Sequence, residues 1–485
     1  MSCEVQAAKR PHAVCVPCPP QGHLNAMLQL AKLLHWKGFH VSFVIIESEH
    51  NRMVTARGDP SFLDGLPSDF QLVTFIPDVF PSPPNHDIQA LGEFYRNHTR
   101  GPFADLISSL NQRAAIDVDF PAVSIIVSDS LMTFSTIPAG EKFGIPVVNF
   151  WPFSASVTMC FMQLSELMAR GLDVDDPSSD CYLDTIVDWI PGINHMRLRD
   201  FPCFLRNAGS VDDLVLDLYA DSIKISDRAV ATVIHTFEAL EQEVLNAFSL
   251  TLSKPVYAIG PLPLALELIP EEDYPTKNIK CSLWEENSQC LQWLDSKESN
   301  SVLYINFGSI ATLTPQQVTE FAMGIANSGH PFLWIIRPTL VAGEAAVLPP
   351  DFVEKTKGRG FTAGWCPQEN VLNHRSIGGF LTHCGWNSTM ESLSAGVPML
   401  CWPFFADQHT NCWIISTNCG IGLEIDHDVK RDEVTSLVKE LMEGVNGKEV
   451  KERALEWNKR ARESVDQGGS SWRGFERLLR EMLSK

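Results

Sequence analysis

Short runs of β-branched and aromatic residues recur along the first half of the chain: 12–17 (HAVCVP), 40–47 (HVSFVIIE), 123–128 (VSIIVS), 146–151 (PVVNFW), 231–237 (ATVIHTF) and 255–259 (PVYAI). They are apolar throughout instead of alternating, which is the pattern of strands buried on both faces of a parallel sheet. The first is followed by 24–38 (LNAMLQLAKLLHWKG), where Leu24, Met27, Leu28, Ala31 and Leu34 recur at helical spacing until Gly38 ends the helix. Residues 1–260 are thereby predicted to form a doubly wound α/β domain.

Residues 261–295 break this rhythm; they are rich in Pro and acidic residues, hold no sustained period and read as an interdomain linker. The alternation resumes with 301–307 (SVLYINF), a helix over 315–328, 331–336 (PFLWII), 360–364 (GFTAG), 377–382 (IGGFLT), a helix over 387–395 and 398–404 (PMLCWPF), a second doubly wound domain over 296–455. The chain reads as helical from 431, and after a Gly468-Gly469-Ser470-Ser471 break Trp472, Phe475, Leu479 and Met482 share one stripe. Residues 456–485 are expected to pack back on the first domain. Segments 80–100 and 150–220 are less regular, holding Pro-rich and acidic loops (PSPPNHD, DVDDPSSD) and apolar helix candidates, and substrate-shaping loops are expected there.

Composition narrows the function. The 485 residues are 45% apolar and 20% charged, as in a soluble globular protein, and 38 basic against 59 acidic residues leave a formal charge of −21. That balance argues against neutralising nucleic-acid phosphates, so any phosphate bound here must be held by something other than bulk positive charge. No run approaches 18 apolar residues, and the N-terminal apolar run is too short and Pro-rich for a signal peptide, so no membrane span and a cytosolic location are expected. The 13 cysteines show no disulfide framework and read as reduced, buried thiols. The Cys15-x-x-Cys18 pair is read the same way, because Cys15 lies inside the first strand and not at a helix start. The sequons at Asn97 and Asn387 are read as chance matches.

A G-x-G-x-x-G after a strand and a G-x-x-x-x-G-K-[ST] are both absent, which argues against a nicotinamide oxidoreductase and a P-loop enzyme. Asp-x-Asp triplets at 117–119, 173–175 and 426–428 lie in loop-like stretches, and no metal site is expected from them.

The candidate chemistry concentrates between Trp365 and Gln408. A strand ends near Thr382, and His383-Cys384-Gly385-Trp386-Asn387-Ser388 turns tightly into a helix. Free N–H groups at such a start, with the side chains of Asn387, Ser388 and His383, form an anion site without a net cation. Glu391, one turn along, could accept from a ribose diol, and Trp365 could stack on a base. In the first half, His23 follows the first strand and Asp129 ends the third, which brings both to the carboxyl edge of one sheet, where open α/β folds bind ligands.

From W-C-P-Q through H-C-G-W-N-S and E to D-Q, this 44-residue span resembles, in register and in length, the signature box of plant secondary-product glycosyltransferases. The resemblance runs over nearly the whole chain, including PPQGH, SD-x-x-M-x-F, GIP, TFEALE, IGPL and Y-I-N-F-GS. It implies two Rossmann-like domains facing a cleft, the GT-B type, and an inverting, UDP-sugar-dependent transferase without a metal or other cofactor. Its partners would be the UDP-sugar and a small apolar acceptor, the chain acting as a monomer.

By the same resemblance His23 is the general base and Asp129 its orienting partner. Trp365 stacks on uracil, with Cys366 beside it, and Gln368 and Glu391 hold the ribose. His383, Trp386, Asn387, Ser388 and Ser309 surround the pyrophosphate, while Asp407 and Gln408 bind sugar hydroxyls. Gln408 is similar to the residue of glucose-using members. One departure is Trp151-Pro152-Phe153-Ser154, where the family has Trp-Thr near the sugar; either Ser154 substitutes or Asp407 and Gln408 hold the sugar. Phe153, Met159, Met162 and Phe405 are acceptor-site candidates. His235 stands where relatives often have Asn and receives no role. The sequence leaves open the acceptor, the donor sugar, oxygen against carbon attack, and a non-catalytic ligand-binding relative.

Overall fold

In a computed structural model of the chain, the described residues are 10–58, 65–75, 93, 95–170, 183–206, 214–341 and 348–484. The strands are β1 (His12–Val16), β2 (His40–Ile46), β3 (Phe70–Phe75), β4 (Ile125–Asp129), β5 (Val147–Trp151), β6 (Ile186–Val187), β7 (Met196–Arg197), β8 (Ala231–Ile234), β9 (Val256–Ala258), β10 (Val302–Asn306), β11 (Phe332–Ile335), β12 (Gly360–Ala363), β13 (Ile377–Thr382), β14 (Met399–Cys401) and β15 (Gly422–Glu424). The helices used below are α1 (Gln21–Trp36), α2 (Ala155–Met162), α3 (Leu214–Ser226), α4 (Pro315–Ser328), α5 (Trp386–Ala395), α6 (Gln408–Trp413), α7 (Val445–Val465) and α8 (Ser470–Leu483).

Two parallel sheets result, ordered β3-β2-β1-β4-β5-β8-β9 and β12-β11-β10-β13-β14-β15, while β6 and β7 form a small antiparallel ribbon. Alternate residues of one strand feed different cores. Val14 and Val16 face one layer, while Ala13 and Cys15 face the layer built on α1. Leu303 and Ile305 of β10 likewise part from Val302 and Tyr304. Both faces being covered, the strands need no polar positions, which is why they read as continuous apolar runs.

In each sheet the chain winds outward from the central strand and then returns to its other side, from β1 to β4 and from β10 to β13. The reversal opens a crevice at the carboxyl ends of those strands, the position where doubly wound sheets bind ligands.

The structure adds detail to the expected elements. β3 is an edge strand with only Phe70 and Phe75 buried, and β15 spans three residues; both escape a search for apolar runs. Residues 261–295, read as an interdomain linker, contain the short helices Leu262–Glu267 and Gln289–Asp295. Gln21 pins this segment to α1, donating to the Cys281 carbonyl at 2.8 Å and accepting from the Leu283 N–H at 2.7 Å. Helix α7 runs unbroken through the 455/456 boundary. Phe475, Leu478, Leu479 and Met482 of α8 join the core built on β1 and α1. Gly474 permits that approach, because a Cβ there would lie 2.5 Å from the Ala258 carbonyl oxygen. The PSPPNHD and DVDDPSSD stretches, with the 173–175 triplet, lie outside the described residues.

No disulfide joins the described cysteines, which, apart from Cys203, are buried. Among the described residues no helix is long and apolar enough to cross a membrane.

Candidate active site

The first domain contributes a hydrogen-bonded pair. Pro20 caps α1 in an extended conformation, and His23 in the first turn donates its N–H to the Pro20 carbonyl at 2.9 Å. Its ring Nδ1 lies 2.7 Å from Asp129 Oδ2. Asp129, the last residue of β4, is fully buried, and its other oxygen accepts the Leu131 N–H at 3.0 Å. A carboxylate accepts, so the Nδ1 position carries the proton, and Nε2 lies on the far side of the ring. Phe153 meets the His23 ring edge-on at 5.0 Å.

The second domain contributes oriented dipoles. After β13, Cys384 takes a left-handed conformation (φ 64°) and Gly385 caps α5, leaving the first helical N–H groups unpaired within the helix. The His383 ring is wedged between two glycines, since a Cβ on Gly308 or Gly385 would come within 2.4 or 2.5 Å of it. Burial pulls the His383 pKa down to about 4, so this ring is neutral at pH 7. Gln368 is the hub of a network, its amide N–H groups reaching Ser388 Oγ (2.9 Å) and Glu391 Oε2 (2.7 Å). Its carbonyl oxygen accepts from Tyr304 (2.9 Å) and Asn306 (2.8 Å). Burial and the neighbouring Glu369 charge raise the Glu391 pKa.

Asp407 accepts from Asn411 at 2.8 Å, and burial raises its pKa too. The Gln408 oxygen is taken by the backbone N–H groups of Phe404 and Phe405 (2.9 and 3.1 Å), which fixes the side chain and leaves its amide nitrogen for other partners. Trp284 from the linker stacks on Trp365, centroids 5.9 Å apart and planes 27° apart.

Both edges open on one cavity of about 1180 Å³. That exceeds the roughly 300–1,000 Å³ of a pocket for one small ligand, leaving room for two co-substrates side by side. It is lined by His23 and Phe153 from the first domain and by Ser309, Trp365, Cys366, Gln368, His383, Trp386, Asn387, Ser388, Glu391, Phe405, Asp407 and Gln408 from the second. Asp129 stands behind His23 and does not reach the cavity surface. Hydrogen bonds join the two domains beside the cavity, from Asn387 Nδ2 to the Gly22 carbonyl (2.5 Å) and from the Trp386 indole to the His235 carbonyl (2.7 Å).

Three acceptor-side readings change. Met159 is buried in the core, its sulfur facing the Gln163 amide at 3.7 Å, and Met162 is half-buried against the same core; neither lines the cavity. Ser154 is fully buried and caps α2 by accepting the Val157 N–H at 3.1 Å, so it does not take the sugar-side place of the missing Thr. Its neighbours Pro152 and Phe153 face the cavity instead.

Phe204, Leu218 and Tyr219 line the first-domain side and carry no motif that marks them. Tyr219 stacks on Phe161 at 3.9 Å. Asn306, at the end of β10, sits where the strand-end rule could have found it. His235 is a buried structural residue whose Nε2 accepts the Leu262 N–H at 3.2 Å, and burial pulls its pKa down to about 3. Cys384, Cys401 and Cys412 pack together with sulfurs within 4.8 Å of one another, inside the core behind the turn that opens α5. The triplets 117–119 and 426–428 form exposed turns closed by Asp119 N–H to Asp117 and Asp428 N–H to Asp426.

Comparison with known proteins agrees with this geometry. Residues 187–458 match the family described as UDP-glucoronosyl and UDP-glucosyl transferase, and residues 12–197 match a glycosyltransferase N-terminal domain. The chain is 47% identical to a 7-deoxyloganetin glucosyltransferase of Gardenia jasminoides, over 99% of both chains. It is also 47% identical to an (R)-mandelonitrile beta-glucosyltransferase of Prunus dulcis, over 99% of this chain and 98% of that one. Among solved structures, a UDP-glucose:anthocyanidin 3-O-glucosyltransferase in complex with UDP superposes with a TM-score of 0.81 at 26% identity, covering 98% of this chain and 100% of that one. Phytolacca americana UGT2, complexed with UDP-2-fluoro-glucose and pterostilbene, gives 0.77 at 26% identity with the same coverage. With the paired sheets, the shared cavity and these matches in agreement, the chain belongs to the plant family 1 UDP-glycosyltransferases of GT-B fold, enzymes that move a hexose from a UDP-sugar to a small molecule.

Proposed function

We propose that this enzyme transfers glucose from UDP-glucose to a hydroxyl of an apolar small molecule in a single inverting displacement, with His23 as general base. The observation that carries the reading is the 2.7 Å contact between His23 Nδ1 and the buried Asp129, which leaves Nε2 as the free acceptor at the cavity. Nε2 takes the acceptor's hydroxyl proton as that oxygen bonds to the anomeric carbon, and the bond from that carbon to the β-phosphate oxygen breaks. Asp129 holds the tautomer and stabilises the imidazolium, the logic of Ser-His-Asp sites. An α-linked donor then gives a β-glucoside.

UDP departs with the bonding electron pair, and its charge is met by the N–H groups that open α5, with Asn387, Ser388, Ser309 and His383 around them. No metal takes part in this reading. Trp365 carries the uracil, and Gln368 and Glu391 hold the ribose. Asp407 and Gln408 bind the glucose hydroxyls, because Pro152 offers neither hydroxyl nor N–H where the family has Thr. The aromatic wall of Phe153, Phe204, Tyr219 and Phe405 suits a compact alcohol or phenol, consistent with relatives named for 7-deoxyloganetin and (R)-mandelonitrile. The enzyme works as a monomer in the cytosol in this reading; the absence of disulfides among the described, mostly buried cysteines supports the reducing compartment.

The test is His23→Ala, assayed with UDP-glucose and a panel of small alcohols and phenols. Turnover is expected to fall by about 10²–10⁴-fold, the range for a general base, with UDP affinity unchanged. Near-normal turnover would remove the general-base role, and an α-glucoside product would remove the single displacement.

A further inference from the structure

The span from Trp365 to Gln408 holds one arginine, and it is turned away from the cavity. Arg375 is exposed and donates to the Asp295 carbonyl at 3.2 Å. A different cation lies beneath the anion loop. Arg337, two residues past β11, is 1% exposed. Its Nε donates to the Gly308 carbonyl at 2.9 Å, and its terminal nitrogens donate to the Ala311 carbonyl and the Thr339 hydroxyl. These partners are neutral. Burial pulls its pKa down to about 10, with no carboxylate among the described residues acting against that, and the guanidinium stays charged at neutral pH. A buried cation without a counter-charge is costly, and a bound anion nearby would offset that cost.

The carbonyls it binds flank Ser309 in the loop after β10, and Gly308, Ser309 and Ile310 line the cavity. In a planar trans peptide the C=O and the following N–H point in opposite directions. Turning the Gly308 carbonyl inward to Arg337 therefore aims the Ser309 N–H away from the guanidinium, and the positive φ of Gly308 (72°) permits that turn. The Arg337 charge is also felt at His383, the first residue of the facing anion loop.

We propose that Arg337 is a positioning residue for the donor's diphosphate, holding the β10–α4 loop with its N–H groups presented and supplying a fixed positive charge behind them. The inference rests on the donor-site reading above. It accounts for how a −21 protein holds a dianion in a cleft whose signature segment contributes no inward-facing Lys or Arg.

The test is calorimetric titration of the full-length Arg337→Gln enzyme with UDP, UMP and uridine. UDP affinity is expected to fall about tenfold or more, UMP less, and uridine not at all, with the KM for UDP-glucose rising accordingly. A ligand series that weakens equally, or a UDP affinity like the parent's, overturns the proposal, because a merely structural role would not discriminate by phosphate count. If Arg337→Gln does not fold, Arg337→Lys decides. Lys cannot hold both carbonyls, so the UDP-to-uridine affinity ratio is expected to drop several-fold, and an unchanged ratio overturns the role. Ser388→Ala in the same titration separates the two levels. If it weakens UDP while the Arg337 variants do not, only the role of Arg337 fails; if neither does, the diphosphate subsite itself is misplaced.

Discussion

The two domains share a winding and differ in what their sheet edges carry. At β1/β4 the first domain presents a histidine hydrogen-bonded to a fully buried carboxylate, against a wall of aromatic rings. At β10/β13 the second presents amides, hydroxyls, a neutral histidine, helix N–H groups and the carboxyl groups of Glu391 and Asp407, with its buried cation, Arg337, kept in the interior. In the proposed reading the same crevice serves proton transfer in one case and anion binding in the other. Fold alone therefore does not assign chemistry; the side chains that emerge at the strand ends do.

The sharpest way to break this comparison is to damage the first edge alone. Asp129→Asn preserves shape but loses the charge that fixes the His23 tautomer, and kcat is expected to drop by about 10²–10⁴-fold while calorimetric UDP affinity stays at the parent value. A matching loss of UDP binding would mean that the two edges are not separate in function.

Damage to the second edge should show the converse. Trp365→Ala is expected to weaken UDP by about 1–3 kcal/mol, the scale of base–aromatic stacking, with little change in kcat at saturating donor. An unchanged UDP affinity would withdraw the platform role.

A third variant touches the seam between the domains. His235 titrates at about 3 instead of its ordinary 6.5, so the unfolded chain binds a proton that the folded one refuses. Its contribution is complete above pH 6.5 and is lost as pH falls toward 3. At pH 5 the loss is about 2 kcal/mol. In His235→Asn, urea unfolding at pH 8 and pH 5 should show a gap smaller by about that amount; an unchanged gap would locate the acid sensitivity elsewhere.

The two edges were also unequally legible. The second-domain site lies largely in one contiguous segment, so its residue types and spacing can be read together. The first-domain pair is separated by 106 positions, and only the rule that chemistry gathers at strand ends joins His23 to Asp129. The acceptor wall was the least legible part. Met159 was a fair candidate by composition, yet α2 is apolar around nearly its whole circumference, which is the mark of a helix inside the core. Of the residues that do face the cavity, Phe153 and Phe405 were among the candidates, while Leu218 and Tyr219 sit on α3 without a motif. Arg337 was invisible for another reason, since its partners are backbone carbonyls that leave no trace in side-chain identities. Within the fold, β3 hid because an edge strand buries little.

The division of labour is tested most directly by combining Asp129→Asn with Trp365→Ala and measuring kcat/KM for the parent, both single variants and the double variant. Independent edges predict that the losses multiply, their free energies adding to within about 0.5 kcal/mol, with the Asp129 part in kcat and the Trp365 part in the donor KM. A double variant no worse than the poorer single one would contradict the account.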